Sequence, residues 1–210
     1  MVIKIRHIFI VLLILIIGVT ITKLAMKNTE HFNEVNNETI YCVMVTGKDK
    51  SRLDFANIAI ENFKNQSYPN KKLIIINEGD AIGVNSSNIL EVKIDDRVRK
   101  GITLGDMRNM AFEFIPDKAI WTLWDDDDWR SDDYLSILHS KLLDNDYIMF
   151  TKRLEHNLNT GFTWTMELKG GFVIFFGRKH TKCEYAKIAV NEDIVLKNYI
   201  VENLKYKILN

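Results

Sequence analysis

Three patterns of apolar and polar residues follow one another along this chain. Residues 8–21 (IFIVLLILIIGVTI) are an almost unbroken apolar stretch, with Lys4, Arg6 and His7 before it and Lys23 and Lys27 after it. Residues 27–38 (KNTEHFNEVNNE) are polar and poor in apolar side chains, a composition that suits a short stem rather than a packed core. From residue 39 onward, short apolar runs alternate with segments of helical period. Residues 40–45 are rich in strand formers, 73–76 are wholly apolar, 89–94 alternate as a half-buried strand, and 119–124, 147–150 and 172–176 also read as strands. Between them, Leu53, Ala56, Ile60 and Phe63 recur at helical spacing after a Ser51 cap, with Asp54 three residues on. Met107, Met110, Ala111, Phe114 and Ile115 share one helix face that Pro116 ends. Ser131 can cap a helix carrying Leu135, Leu138 and Leu142, and Asn191 one with Val195, Leu196, Tyr199 and Ile200 on one side. Strands alternating with helices predict an α/β domain with a mostly parallel sheet flanked by helices.

The first pattern has its own implication. An apolar core of about 14 residues spans roughly 21 Å as a helix, short of the roughly 30 Å hydrocarbon layer. Flanking Val2, Ile3 and Leu24 with snorkelling lysines make up the difference. A cleaved signal peptide is the rival reading. No small-residue cleavage site follows, since Lys23 stands where a small residue is wanted before Ala25, and an uncleaved signal-anchor is favoured. The expected organisation is a transmembrane segment over 1–26, a polar stem over 27–38 and one α/β domain over 39–210. A single-pass anchor with its N-terminus in the cytosol would place that domain in a lumen or outside the cell.

Composition adds little until charge is located. The 28 basic residues equal the 28 acidic ones, so the formal net charge is zero. That excludes a protein held to nucleic acid or anionic lipid by bulk attraction. The two cysteines, Cys42 and Cys183, form neither a disulfide framework nor a metal-binding spacing, and Cys42 inside an apolar run reads as a small buried hydrophobe.

Neutrality conceals a concentration, because Asp125, Asp126, Asp127 and Asp128 follow the apolar run AIWTLW directly. In a parallel α/β sheet, ligands bind beyond the carboxyl ends of the strands. Four adjacent carboxylates repel one another unless a cation offsets them. Hard oxygen ligands without a neighbouring His or Cys suit Mg²⁺ or Mn²⁺, which bridge carboxylates to phosphates. With positive charge otherwise scattered, the compensating charge is expected from a bound ion. A solvated acidic turn is the plainer alternative, but Trp124 and Trp129 bracket the run and argue against it.

The stretch TLWDDDDWRSDDYL resembles the D-x-D segment of family 2 glycosyltransferases, which have the GT-A fold. Other stretches resemble the same family in the same order: CVMVTGKDKSRLDFANIAIENFKNQSYPNKKLIIINEGD its opening, LGDMRNMAFEFIP its G-x-x-R-N segment, GGFVIFF its acceptor-side glycine-rich segment, and NEDIVL its E-D motif. The set spans about residues 41–199.

The resemblance implies a metal-dependent, inverting transfer of one sugar from a nucleotide-diphosphate-sugar, most readily a UDP-sugar, to an acceptor hydroxyl on a glycan, protein or lipid. It implies Mn²⁺ or Mg²⁺ on Asp125, Asp127 and Asp128, with Asp127 the foremost ligand and Asp126 orienting the sugar. It makes Asp193 the general base, with Glu192 beside it. Thr46, Gly47, Asn77, Glu78, Arg108 and Asn109 would meet the donor, together with Asp125 and Asp126. Trp129, Gly170 and Gly171 would lie on the acceptor side. Asn77 departs from the family, many members of which carry D-D-G there. Nothing resembling the Q-x-x-R-W segment of processive synthases follows Asp193, which points to single-sugar transfer. Two alternatives stay open: a nucleotidyltransferase, for which TGKDKSR is a faint phosphate loop, and a catalytically inactive nucleotide-sugar or glycan binder.

Overall fold

A computed structural model describes Thr20, Lys23 and residues 38–209, apart from 85, 96–99, 168–174, 183 and 189–191. Most of the apolar segment 8–21 lies outside the described residues, as do Gly170, Gly171, Cys183 and Asn191. Among the described residues, no helix is long and apolar enough to cross a membrane. The chain divides into two units, Met1–Glu38 and Thr39–Asn210.

The second unit is a seven-stranded sheet with helices on both faces. In chain order its elements are β1 (Ile40–Thr46), α1 (Lys50–Asn65), β2 (Lys71–Asn77), β3 (Ile89–Lys93), α2 (Leu104–Phe112), β4 (Ile120–Leu123) and α3 (Tyr134–Leu142). Then come β5 (Tyr147–Phe150), β6 (Lys152–His156), β7 (Thr163–Glu167), β8 (Phe175–Arg178), α4 (Asp193–Asn203) and β9 (Tyr206–Leu209). The sheet order is β3-β2-β1-β4-β8-β5-β9, and only β8 runs antiparallel to its neighbours. β6 and β7 form a separate antiparallel ribbon.

Alternation along the central strands explains the three layers. Ile40, Cys42 and Met44 of β1 and Leu73 and Ile75 of β2 pack with Ala56, Ile60 and Phe63 of α1 and Leu135, Leu138 and Leu142 of α3. Val43, Ile74 and Ile76 point to the other face, against Met107, Ala111 and Phe112 of α2 and Leu196 and Ile200 of α4. Strands buried on both faces must be apolar throughout, which is why 73–76 shows no alternation.

Several boundaries differ from expectation. α1 begins at Lys50 with Asp49 at the cap position, so Ser51 lies inside it. α2 ends at Phe112, and Phe114 is largely exposed; its start is a full capping box between Thr103 and Asp106. α3 begins at Tyr134, beyond the expected Ser131 cap. α4 begins at Asp193, and Val195 faces solvent while Leu196 and Ile200 are buried. The β6–β7 ribbon and β9 have no counterpart among the elements expected from periodicity. β6, KRLEH, has exposed and partly exposed residues only, so no buried face imposes a pattern on it.

Cys42 is fully buried, and burial pushes its thiol up to about 12, against the pull of Arg130 and Lys71. In a Cys183→Ser chain, this thiol should stay unreactive toward a disulfide reagent at pH 8 until the protein is unfolded in urea. Rapid reaction of the native protein would contradict the packing.

Candidate active site

The strand order 3-2-1-4 reverses direction between β1 and β4, and that reversal opens a crevice at their carboxyl ends. β1 ends at Thr46. β4 ends at Leu123, and Trp124 N–H extends the ladder by one bond to Val43 O (2.8 Å). The acidic run then makes a turn closed by Asp128 N–H on Asp125 O at 3.2 Å. The sheet thus sets the run directly beside Thr46, whose hydroxyl donates to Asp126 Oδ2 at 2.9 Å.

Each of the four aspartates meets an arginine. Arg52, in the first turn of α1, donates through Nη1 to Asp126 Oδ1 (2.6 Å) and Asp127 Oδ2 (3.1 Å). Arg108 of α2 reaches Asp125 Oδ1 through Nη2 at 3.4 Å. Arg130 donates through Nη2 to Asp128 Oδ2 at 3.1 Å and to Leu123 O at 3.2 Å. Its guanidinium lies 4.8 Å from the Trp124 ring centroid and 5.4 Å from that of Tyr134. Asn62 of α1 fixes its backbone, donating to Arg130 O (2.7 Å) and accepting from Arg130 N–H (3.0 Å). The expectation that the compensating charge comes from a bound ion rather than from the sequence is corrected in part: three arginines meet the four carboxylates, one of them shared with Glu192. Burial pushes the Asp126 and Asp128 carboxyls up, while Thr46 and Arg52 pull the first down and Arg130 the second.

The E-D pair meets the same network. Glu192, just before α4, is buried and paired with Arg108 Nη1. Arg108 therefore binds Glu192 with one nitrogen and Asp125 with the other, and its guanidinium lies 5.2 Å from the Tyr185 ring centroid. Burial opposes its charge, but Tyr185, Asp125 and Glu192 more than offset that. Asp193, the first residue of α4, is half-buried. Gly105 allows this approach, since a Cβ there would stand 1.8 Å from Ala186 O. Asn109 exchanges two bonds with the backbone of Tyr185 (2.9 and 2.8 Å), so its amide positions that segment.

At the end of β2, the Asn77 amide is committed to its own loop. It donates to Asp80 O (2.7 Å) and Glu91 Oε1 (2.6 Å) and accepts from Gly79 N–H (2.6 Å). Glu91 of β3 also accepts from Ile82 N–H (3.0 Å) and Gly83 N–H (3.2 Å). Glu78 N–H bonds Thr46 O at 3.1 Å, joining the loops after β1 and β2. Between these loops lies an open cleft of about 50 Å³, lined by Thr46, Gly47, Lys48, Asp49, Lys50, Asn77, Gly79 and Asp80. Trp129 is 73% exposed beside the acidic turn, while Trp121 and Trp124 belong to the core.

Arg52, Arg130 and Glu91 are the residues that sequence reasoning missed. For Arg130, adjacency to the run was a usable signal. For Arg52 and Glu91, only the tertiary fold supplies the partner.

Among the described residues, no three His, Cys, Asp or Glu side chains converge as a metal-binding group. The aspartates instead turn toward three arginines, Asp126 and Asp127 sharing Arg52. Asp125 and Asp127 still fit a cation that takes its other ligands from water and phosphate, because their side chains are 34% and 53% exposed and each has one oxygen without a hydrogen bond among the described residues.

No family model matches this chain, and no curated protein does. Its fold is that of S. aureus TarS 1–349. The crystal structure of that protein in complex with UDP matches with a TM-score of 0.63 at 11% identity, over 81% of this chain and 57% of that one. The complex with UDP-GlcNAc matches with a TM-score of 0.64 at 11% identity, over 81% and 56%. The chain thus spans a little over half the length of these solved structures. Its mostly parallel sheet between helix layers fits the GT-A-like fold implied by the sequence resemblance.

The burial of the arginines separates their structural roles. Arg130→Ala empties a buried position between two aromatic rings and leaves the partly buried Asp128 carboxylate without its partner, and should lower stability by about 3 kcal/mol. Arg52→Ala removes a half-exposed guanidinium but leaves one oxygen of the buried Asp126 carboxylate without its partner, with Thr46 still on the other, and should cost about 1 kcal/mol. Urea unfolding of both variants measures this, and equal effects would refute the assignment of Arg130 as the buried support of the turn.

Proposed function

We propose that this chain is a glycosyltransferase that moves a single sugar from a nucleoside-diphosphate donor to an acceptor hydroxyl. The observation that carries the reading is the acidic turn at the β1/β4 reversal, joined through Arg108 to the E-D pair. One site then holds both halves of the reaction: groups suited to a diphosphate, and a carboxylate suited to a hydroxyl proton. The matched S. aureus protein has been crystallised with UDP and with UDP-GlcNAc, which favours a UDP-sugar as donor.

In this reading the nucleotide lies in the cleft between Gly47 and Gly79, with its diphosphate toward the acidic turn. Asp125 and Asp127 hold Mn²⁺ or Mg²⁺; Asp128, paired with Arg130, steadies the turn. When bound, the ion supplies Lewis-acid stabilisation of the charge that grows on the diphosphate. Arg108 adds a fixed guanidinium on the same side, while Glu192 and Tyr185 orient it. Asp193 takes the proton as the acceptor oxygen attacks the anomeric carbon. The bond to the diphosphate oxygen breaks as the new glycosidic bond forms on the opposite face, so configuration inverts. Trp129, exposed beside the turn, offers its ring face to a sugar. Residues 8–21 anchor the chain in a membrane, with the α/β domain in a lumen or outside the cell.

The test uses the detergent-solubilised full chain with Mn²⁺ and a panel of UDP-sugars. UDP release from at least one donor is expected, and a chelator should abolish it. Asp193→Asn should lower turnover about 10²- to 10⁴-fold while leaving UDP affinity intact, as measured by calorimetry. Absence of binding to any nucleotide-sugar would refute the reading. Loss of UDP binding in Asp193→Asn would move that residue from catalysis to the architecture of the site.

A further inference from the structure

Arg52 stands between the two parts of the site. It sits in the first turn of α1, which also carries Lys50; the acid nearest this positive end of the helix is Asp49 at the cap position, whose side chain makes no capping bond. A Cβ placed on Gly47 would lie 3.8 Å from Arg52 Cγ, so the arginine's stem stands next to Gly47, a residue of the cleft wall, while Arg52 itself lies just outside the lining. Its head group leans the other way, onto the acidic turn, with a single nitrogen shared between Asp126 and Asp127.

The two carboxylates it holds are not equivalent. Asp126 is buried and has both oxygens engaged, one by Thr46 and one by Arg52. Asp127 is 53% exposed, and Arg52 is its only ion-pair partner among the described residues. A divalent cation arriving alone at Asp127 meets a positive group already there, and displacing that group leaves an arginine beside the dipole end with a weaker partner. A diphosphate arriving in the cleft changes this balance. It offers the half-exposed Arg52 a denser anion on the side where its stem already lies, and Asp127 is released.

Building on the function proposed above, we propose that Arg52 is a resident counter-ion. It holds Asp127 in the free protein and passes to the donor's phosphates, so that metal and nucleotide bind as a coupled pair rather than independently. By linkage, the factor by which UDP tightens the metal equals the factor by which the metal tightens UDP. Arg52 is thus a positioning residue for the donor, and it keeps the acidic turn in order when the site is empty of substrate.

Mn²⁺ affinity, read from the electron paramagnetic resonance signal of the free ion, tests this without any turnover. In the wild-type full chain, Mn²⁺ alone should bind weakly, and saturating UDP should tighten it about tenfold or more. In Arg52→Ala, Mn²⁺ alone should bind about three- to fivefold tighter than in the wild type, from loss of a half-exposed ion pair. UDP should bind more weakly to this variant and the mutual enhancement should shrink. Arg52→Gln, which keeps the apolar stem and a polar end without the charge, should behave likewise and serves if the alanine variant does not fold. Unchanged or weaker Mn²⁺ binding in both variants, with UDP binding intact in the wild type, overturns the role of Arg52 alone. No UDP binding by the wild type at any Mn²⁺ concentration overturns the glycosyltransferase reading and this inference with it.

Discussion

Four consecutive carboxylates at one strand end are held apart by three guanidiniums, and the rest of the site is arranged around that constraint. Like charges this close raise one another's energy and resist folding unless opposite charge is within reach. The fold draws that charge from three places: α1 supplies Arg52, α2 supplies Arg108, and the segment leaving the turn supplies Arg130. The turn is consequently a junction. Its four side chains tie the first helix, the third crossover and the end of β4 to one another at the place where the strand order reverses.

The three arginines differ in what they can give up. Arg130 is buried between Trp124 and Tyr134, and its removal would strand a partly buried carboxylate, so it acts as part of the core. Arg108 is buried as well, but it faces two acids from different parts of the chain and so links the acidic turn to the helix that begins with Asp193. Arg52 is half-exposed and holds its carboxylates through one nitrogen. Depth of burial thus grades them from structural to exchangeable. A phosphate can replace the exchangeable partner without unfolding the turn, because Thr46 and Arg130 remain in place.

The legible part of this fold is the part governed by local periodicity. The apolar runs of β1, β2 and β4 and the apolar faces of α1 and α3 follow from burial between two layers, and that burial is written residue by residue. The acidic turn was legible too, since its place after an apolar strand locates it at the carboxyl edge. Its counter-charges were not. Arg52 lies 74 residues from Asp126 and Arg108 lies 84 from Glu192, so nothing in either neighbourhood marks the partner. The helix ends were misjudged where the apolar spacing ran past them, as at α2, which stops at Phe112 while the spacing continues to Ile115. The β6–β7 ribbon escaped notice because no buried face disciplines its sequence.

Asn77 shows how a residue that differs from the D-D-G pattern the sequence resembles can still be matched to its surroundings. Read alone, an amide where that pattern has an acid suggests a weakened site. In the folded chain, its amide nitrogen donates to Glu91 Oε1 and to Asp80 O, and its oxygen caps Gly79 N–H. An aspartate at 77 could still cap Gly79, but its second oxygen would face Glu91 with no proton between them. Two carboxylates at 2.6 Å cannot both stay ionised, so the loop after β2 would have to open or one acid would have to hold a proton. The negative charge at this corner of the cleft stands on Glu91 of β3, and the neutral amide at the end of β2 is what lets that carboxylate accept a hydrogen bond from position 77. Asn77 and Glu91 are therefore one unit, and the shape of the loop from Glu78 to Gly83 depends on both being as they are.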